Sequence, residues 1–146
     1  MATVFDVAAY ILENTGSIST MKLQKLCYYS QAWSLVWDDK PIFREEIQAW
    51  VNGPVIPDLF HEFQGEYMVD SCKKGNSSRL TQDEKETIDA VIEFYGKYSG
   101  AELSELTHSE IPWKEARKGL AEMEYGQNVI DLAVMSDFYT RLASDE

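Results

Sequence analysis

The chain has 146 residues, of which 45% are hydrophobic and 26% are charged, and its formal net charge is −12. This length and composition are ordinary for one soluble globular domain and exclude a largely disordered chain. The acidic balance argues against nucleic acid or an anionic membrane as the main partner, because both attract clustered Lys and Arg side chains.

The N-terminal run MATVFDVAAYIL has no basic residue ahead of its short apolar stretch, and it contains Asp6. It therefore lacks the pattern of a signal peptide, and no segment has the roughly 20 apolar residues that a membrane-spanning helix needs. Cys27 and Cys72 give no disulfide framework, which fits a reducing compartment. We expect a cytoplasmic protein with no membrane partner.

The first predicted helix covers residues 3–14, where apolar residues recur at helical spacing. Thr3 precedes it, and Asp6 follows three residues later in the arrangement of a capping box. Gly16 is expected to end this helix, and Ser19 or Thr20 to cap the next.

The second predicted helix, TMKLQKLCYYSQAWSLVW at residues 20–37, is apolar around most of its circumference. Gln24 and Gln31 are expected to form a narrow polar strip, and Lys22 and Lys25 to keep their charges in water. Because a helix of this kind is buried by its neighbours, we expect it to be the centre of the fold. Four residues of this helix and one later proline form the expected structural signature of the fold. They are Leu23, Leu26, Tyr29, Trp33 and Pro112.

A small β-hairpin or extended insertion is predicted near residues 42–52, because apolar and polar residues alternate there, and its turn is expected at residues 44–46. The triplet Asn-Gly-Pro at residues 52–54 is a strong turn signal. Pro57 is then expected to open a short helix.

An acidic stretch covers residues 38–70, which contain eight acidic and two basic side chains, a balance of −6. Such a run is usually a solvated face, and its functional alternative is to steer a basic partner. Residues 71–80 are expected to form an exposed loop. We take this loop as part of one domain covering residues 1–146, because neither side has a full set of elements of its own.

Four more helical segments are predicted in the second half of the chain. A capping box at Thr81 opens a helix to about residue 98, a short helix covers residues 101–107, and Pro112 restarts helical structure. The last amphipathic helix covers residues 131–143. The sequence thus predicts a mainly α fold, a compact bundle of about six or seven helices around residues 20–37.

No motif for a phosphate loop, a dinucleotide or a zinc protease is present, so we expect no cofactor. Cys27, His61, Cys72 and His108 carry suitable donor atoms for a metal. Structural zinc sites, however, usually pair ligands two to five residues apart, and these four form no such pair. We therefore expect no metal site.

The best catalytic candidate is His108, which lies between a hydroxyl and a carboxylate in the run Thr-His-Ser-Glu at residues 107–110. It would serve a small hydrolase or transferase as a general base. The structural alternative is that His108 hydrogen-bonds the backbone where the chain turns before Pro112. Trp50 and Trp113 are likewise either interface anchors or core residues.

Two blocks of sequence resemble a known family. The first, MKLQKLCYYSQAW followed by PIFREEIQAWVNGPVIPDLF, lies within residues 21–60, and the second, LSELTHSEIPWKEARKG, covers residues 103–119. Both are similar to the signatures of the Panacea antitoxin family, the SocA-like or GepA-like phage-associated proteins. The order and spacing of the other predicted helices also fit that family, so the resemblance covers nearly the whole chain.

The resemblance implies an antitoxin that neutralises a cognate protein toxin, encoded next to it, by direct binding and without enzymatic activity. It also leaves open a proteolytic adaptor that delivers a client to a Clp-type protease, and a phage-associated factor that modulates the host. No nucleic-acid partner is implied. The small hydrolase or transferase at His108 stays as an alternative of a different class.

The resemblance also directs attention to residues for the interface. The candidates for partner binding are Trp50, Asn52, Gly53, Pro54, His108, Trp113 and Arg117. The alternative is that residues shared by a family with different toxins hold the fold. In that case the partner is recognised by other residues, such as the loop at residues 66–80.

Overall fold

Seven α-helices are present in the computed structural model, which describes residues 1–145. The helices are α1 (Val4–Thr15), α2 (Thr20–Trp37), α3 (Pro57–Glu62), α4 (Gln82–Tyr95), α5 (Gly100–His108), α6 (Ile111–Ala116) and α7 (Leu132–Ser144). Two antiparallel pairs of short strands accompany them, β1 (Ile18–Ser19) with β4 (Met68–Val69), and β2 (Gln48–Trp50) with β3 (Gly53–Val55). The prediction of a mainly α fold is confirmed.

Helix α2 is the centre of the molecule, as the sequence predicts. Helices α1, α4, α5 and α7 pack around it, and the predicted signature residues of α2 are all buried. The indole of Trp33 donates a hydrogen bond to the hydroxyl of Tyr95 on α4 (2.9 Å), and Pro112 is buried in the first turn of α6. Burial on all sides explains why this helix has almost no polar face.

The starts of α1 and α4 follow the predicted caps. Thr3 and Asp6 form a complete capping box on α1, and Thr81 and Glu84 form one on α4. Asp131 caps α7 by accepting a hydrogen bond from the backbone amide of Ala133. These local hydrogen bonds satisfy amide groups that the first helical turn leaves free, which is why they mark boundaries so clearly.

The predicted position of the hairpin turn is wrong. The hairpin pairs Gln48 with Val55 and Trp50 with Gly53, so it turns between residues 50 and 53 and not at residues 44–46. The backbone of residues 42–43 instead bonds a side chain of α2.

That side chain is Gln31, whose amide replaces a strand partner. Its Oε1 accepts hydrogen bonds from the backbone amides of Ile42 (2.8 Å) and Phe43 (3.3 Å), and its Nε2 donates to the carbonyl of Phe43 (2.8 Å). Gln24, two turns earlier on the same face of α2, bonds both the amide and the carbonyl of Ile56. Both glutamines are buried, so the narrow polar strip of α2 faces the chain between α2 and α3.

The segment at residues 71–80 packs over the first turns of α1. Cys72 and Leu80 are buried, while most of the other side chains between them are exposed or half-buried. The backbone amide of Asn76 donates to the buried carboxylate of Asp6 (2.8 Å), which fixes the segment against α1. No helix within residues 1–145 is both long enough and apolar enough to cross a membrane.

Replacing Gln31 by Leu should destabilise the fold strongly. The substitution keeps the volume but leaves two buried amides and one carbonyl without partners, at a cost of about 3 kcal/mol in the free energy of unfolding. Urea denaturation followed by circular dichroism measures this, with Gln127→Leu as an exposed control. Equal stability of the two variants would contradict the role assigned to the buried amide.

Candidate functional site

A cleft of about 380 Å³ lies between the first half of α2, the β2–β3 hairpin, α3 and the loop at residues 121–126. We call it the α2–hairpin cleft. Its lining is mainly apolar and includes Met21, Leu23, Trp50, Val55, Leu59 and Phe60. Two of the predicted candidates, Trp50 and Asn52, belong to this lining.

Aromatic side chains form the exposed edge of the cleft. The indole of Trp50 donates a hydrogen bond to Oε1 of Gln48 (2.9 Å), and its ring meets that of Phe60 edge to face, with centroids 5.1 Å apart. Phe60 is 39% exposed and Tyr125, from the loop, is 73% exposed. Partly exposed aromatic rings of this kind are enriched among the residues that dominate binding energy at protein interfaces.

The turn residues of the hairpin fit tightly against the helices behind it. Gly53 has φ +116°, and a Cβ there would lie 2.9 Å from both Cε of Lys25 and Oγ1 of Thr107. Pro54 is buried, and its carbonyl accepts a hydrogen bond from Nζ of Lys25 (3.1 Å). Gly53 and Pro54 therefore contact the core, whereas the side chain of Asn52 is exposed at the cleft.

Trp113 and Arg117 hold the hairpin from behind and are almost fully buried, at 8% and 5% exposure. The indole of Trp113 donates to the carbonyl of Trp50 (2.8 Å), and Nη1 of Arg117 donates to the carbonyl of Ala49 (3.0 Å). The guanidinium also donates to three carbonyls in the loop at residues 121–126. These two candidates thus position both walls of the cleft and are themselves covered.

His108 lies in the same supporting layer. Its ring stacks on Trp113, with centroids 4.1 Å apart, and it hydrogen-bonds the backbone of Val51 in the hairpin. Burial lowers the pKa of His108, while the bond to Val51 acts in the opposite direction. Nε2 is buried and has no hydrogen-bond partner among residues 1–145. The imidazole is therefore placed to support the hairpin as a neutral ring.

Lys25 is a residue whose placement the sequence analysis missed. Its side chain is 1% exposed and makes no salt bridge within the described part of the chain, and burial lowers the pKa of its ammonium from 10.5 to about 8. The expectation that its charge stays in water is wrong. The signal was available, because a helix apolar on nearly all sides leaves no solvent face for a lysine in its second turn.

Glu110 is the second residue that the sequence analysis missed. Its Oε1 accepts hydrogen bonds from the hydroxyls of Tyr29 (2.7 Å) and Tyr139 (2.8 Å), and Tyr139 is also hydrogen-bonded to Tyr28 (3.0 Å). Burial raises the pKa of Glu110, and the two tyrosine bonds oppose that shift. This network joins the start of α6 to α2 and α7, and it lies away from the residues that line the cleft.

The four side chains considered for a metal do not form a site. Cys27 and Cys72 are buried, and His61 is exposed beside Phe60. In the portion of the chain that the structure describes, no three His, Cys, Asp or Glu side chains are grouped so that they could hold a metal ion.

Comparison with known proteins gives one family. The family model described as "Antitoxin SocA-like, Panacea domain" matches residues 23–114, a range that contains most of α2, the hairpin and α3. Antitoxin SocA of Caulobacter vibrioides (strain NA1000 / CB15N) is 30% identical over 115 residues, which are 70% of this chain and 61% of that protein. This chain therefore spans less than two thirds of the length of that relative. No solved structure matches it significantly.

Gly53→Ala should lower the free energy of unfolding by about 1–3 kcal/mol more than Gly16→Ala does. Both glycines have positive φ, +116° at Gly53 and +74° at Gly16, but a Cβ at Gly16 meets nothing within 4 Å, so the collision with Lys25 and Thr107 adds to the backbone strain only at Gly53. Chemical denaturation of the two variants measures it. If both variants lose the same stability, backbone strain alone explains why residue 53 is glycine, and the close packing does not contribute.

The buried ammonium of Lys25 should give the stability a characteristic dependence on pH. Between pH 8 and 10.5 the unfolded chain keeps this proton and the folded chain loses it, so raising the pH in this window stabilises the fold. Across this window, the free energy of unfolding of the wild type should rise by about 3 kcal/mol relative to that of Lys25→Met. Below pH 8 Lys25 is protonated in both the folded and the unfolded chain. The difference in stability between the wild type and Lys25→Met should therefore not change with pH there.

The measurement is urea denaturation at several pH values. Lys118→Met, which removes an exposed ammonium, serves as the control and should show no such slope. A difference between wild type and Lys25→Met that does not change with pH would contradict the lowered pKa.

Proposed function

The chain belongs to the SocA-like Panacea antitoxin family, and on that basis we propose that it is the antitoxin of a toxin–antitoxin pair. It neutralises a cognate protein toxin, encoded next to it, by direct and stoichiometric binding in the cytoplasm. The observation that carries the proposal is the family match over residues 23–114, together with the identity to antitoxin SocA over 70% of the chain.

The geometry of the α2–hairpin cleft supports a binding role. A protein interface needs apolar anchors that a partner can reach, and the cleft offers Trp50, Phe60 and Tyr125 at its edge. The hairpin behind these rings is fixed by hydrogen bonds from Lys25 and Trp113. A surface that is rigid before binding loses little conformational entropy on binding, which favours high affinity.

The charge supports fast capture of the toxin. With a formal net charge of −12, the molecule attracts a basic partner over a distance set by the ionic strength. Electrostatic attraction raises association rates, while the buried apolar contacts slow dissociation. An inhibitor that must hold a toxic protein needs both properties.

The contacts of His108 support a structural role for this side chain more than a catalytic one. Its ring is stacked on Trp113 and bonded to the backbone of Val51 in the hairpin, a structural contact to a different segment from the turn before Pro112 that was considered from the sequence. We therefore propose that the protein acts without enzymatic activity and without a cofactor.

Co-expression tests the proposal directly. The adjacent gene is induced in bacteria with and without this protein, growth is followed, and the pair is co-purified by an affinity tag on the toxin. We expect growth arrest by the neighbour, rescue by this protein and a complex that survives gel filtration. The proposal would be refuted if the product of the adjacent gene is toxic and this protein neither restores growth nor binds that product.

The same assay separates neutralisation by binding from delivery to a protease. Toxin levels are measured by immunoblot in strains with and without a Clp-type protease. Simple neutralisation predicts equal toxin levels and rescue in both strains. Rescue that depends on the protease, with loss of the toxin, would instead identify a proteolytic adaptor.

His108→Ala should rescue growth as well as the wild type, provided that the variant is folded. The reason is that the imidazole lies behind the hairpin and its contacts are structural. Thermal unfolding of the purified variant verifies the fold. Loss of rescue in a variant with unchanged thermal stability would favour the hydrolase or transferase alternative.

A further inference from the structure

We propose that the α2–hairpin cleft binds a small monocarboxylate with an apolar body, and that the carboxylate pairs with the ammonium of Lys25. Aromatic acids and medium-chain aliphatic acids belong to this class of ligand. The inference adds a second binding activity and does not depend on the antitoxin function. It follows from the apolar floor of the cleft, the hydrogen bonding of its buried ammonium and the depths at which its charged residues lie.

The floor of the cleft selects an apolar body. Its buried apolar side chains are those of Leu23, Val55, Leu59 and Phe63. The volume of about 380 Å³ is near the lower end of the range of about 300–1,000 Å³ for small-molecule sites, so the cleft suits a small ligand. An aliphatic chain or an aromatic ring displaces water from this floor and gains the usual free energy of apolar burial.

Lys25 supplies the polar anchor for the ligand. It lines the same cleft and is 1% exposed, and its Nζ donates to the carbonyl of Pro54 (3.1 Å). An ammonium has three N–H donors, and in the part of the chain that the structure describes this one makes no other hydrogen bond and no ion pair. A buried charge without a partner is costly, and a carboxylate offsets that cost through a charge-assisted hydrogen bond while the bond to Pro54 stays in place.

The two charged residues of the lining lie at different depths. Lys25 is buried, Glu66 is exposed, and the two form no ion pair within residues 1–145. A ligand that reaches the floor therefore meets a positive charge that no carboxylate of the protein neutralises. The exposed acid and the formal net charge of −12 disfavour ligands with several negative charges, so a single carboxylate on an apolar body is the class that fits.

The ammonium is prepared for this contact before the ligand arrives. Burial lowers the pKa of Lys25 from 10.5 to about 8, so the side chain is still mostly protonated at pH 7. Its desolvation is already part of the folded state, and only the carboxylate of the ligand loses water on binding. Attraction between the two charges on an apolar floor is also screened less than attraction at the surface.

A second groove on the molecule lacks a buried charge and serves as a control. It is lined by apolar residues of α2, α4 and α7, among them Trp37, Phe94 and Leu142, and we call it the Trp37 groove. Its charged lining residues are also one acid and one base, Glu93 and Lys97, but both are exposed. The comparison therefore separates the effect of a buried ammonium from that of apolar surface with a charge nearby.

The test is calorimetric titration of the purified full chain with hexanoate, octanoate and 4-phenylbutanoate, and with the primary amide of each acid. The amides keep the apolar body and remove the charge. At pH 7 the best carboxylate should bind about tenfold more tightly than its amide. Between pH 7 and pH 9 its affinity should fall about fivefold, because Lys25 loses its proton, whereas the affinity of the amide should not change.

His108 is the other titratable group that interacts electrostatically with Lys25. Burial, and to a smaller extent the charge of Lys25, lower the pKa of its imidazole, so it stays neutral between pH 7 and pH 9. A fall in carboxylate affinity across this range therefore reports on Lys25.

Matched variants assign the binding to the cleft. Lys25→Met should make carboxylate and amide bind equally and remove the dependence on pH, whereas Lys97→Met in the Trp37 groove should change neither. Phe60→Ala, at the edge of the cleft, should weaken carboxylate and amide by the same factor, and Phe94→Ala should leave both unchanged. Circular dichroism verifies that each variant is folded. The amide comparison and the pH series use the wild type, so they decide the question even if Lys25→Met does not fold.

Three outcomes would overturn the proposal. These are the absence of saturable binding by any of the carboxylates, equal affinities of carboxylate and amide at pH 7, and affinities that respond to the variants of the Trp37 groove rather than to those of the cleft. No toxin enters these titrations, so a negative result leaves the antitoxin function untouched. That function is decided separately by the co-expression assay.

Discussion

The fold depends on the satisfaction of backbone hydrogen bonds by buried polar side chains of α2. Gln31 bonds the backbone at residues 42–43, Gln24 bonds it at residue 56, and Lys25 bonds it at residue 54. A buried amide or carbonyl without a partner costs about 1–3 kcal/mol, so these bonds restrict the irregular segment between α2 and α3 to one path. The central helix therefore acts both as the hydrophobic core and as a substitute for a neighbouring strand.

The hairpin is held on its other side by the chain that follows α4. Ser104, Trp113 and Arg117 all donate hydrogen bonds to hairpin carbonyls. The two blocks of sequence that resemble the family, within residues 21–60 and at residues 103–119, consequently meet at this hairpin. Most of the proposed partner-binding residues turn out to be the supports of the cleft, and Trp50 and Asn52 are the ones that line it.

Helix caps could be predicted from the sequence, whereas hydrogen bonds between distant residues could not. The starts of α1 and α4 followed from Thr3 and Thr81, because a capping box is formed by residues three apart in sequence. The hairpin turn was misplaced at residues 44–46, although the turn signal at residues 52–54 lies at the true turn, because the alternation of apolar and polar residues from residue 42 onwards does not show that residues 42–43 bond the side chain of Gln31 instead of a strand. Lys25 was misplaced because its long side chain was expected to reach water, although a helix that is apolar on nearly all sides leaves it no solvent face.

The same hydrogen bonds have a consequence for how this surface can evolve. They end on the backbone carbonyls of Ala49, Trp50, Asn52 and Pro54, which every amino acid possesses. Substitution of an exposed side chain at the cleft, such as Asn52, therefore leaves the supporting bonds in place. Gly53 is the exception, because its positive φ and its close packing exclude a side chain. The architecture thus separates the residues that maintain the fold from those that could specify a partner, and it allows recognition to change with little loss of stability.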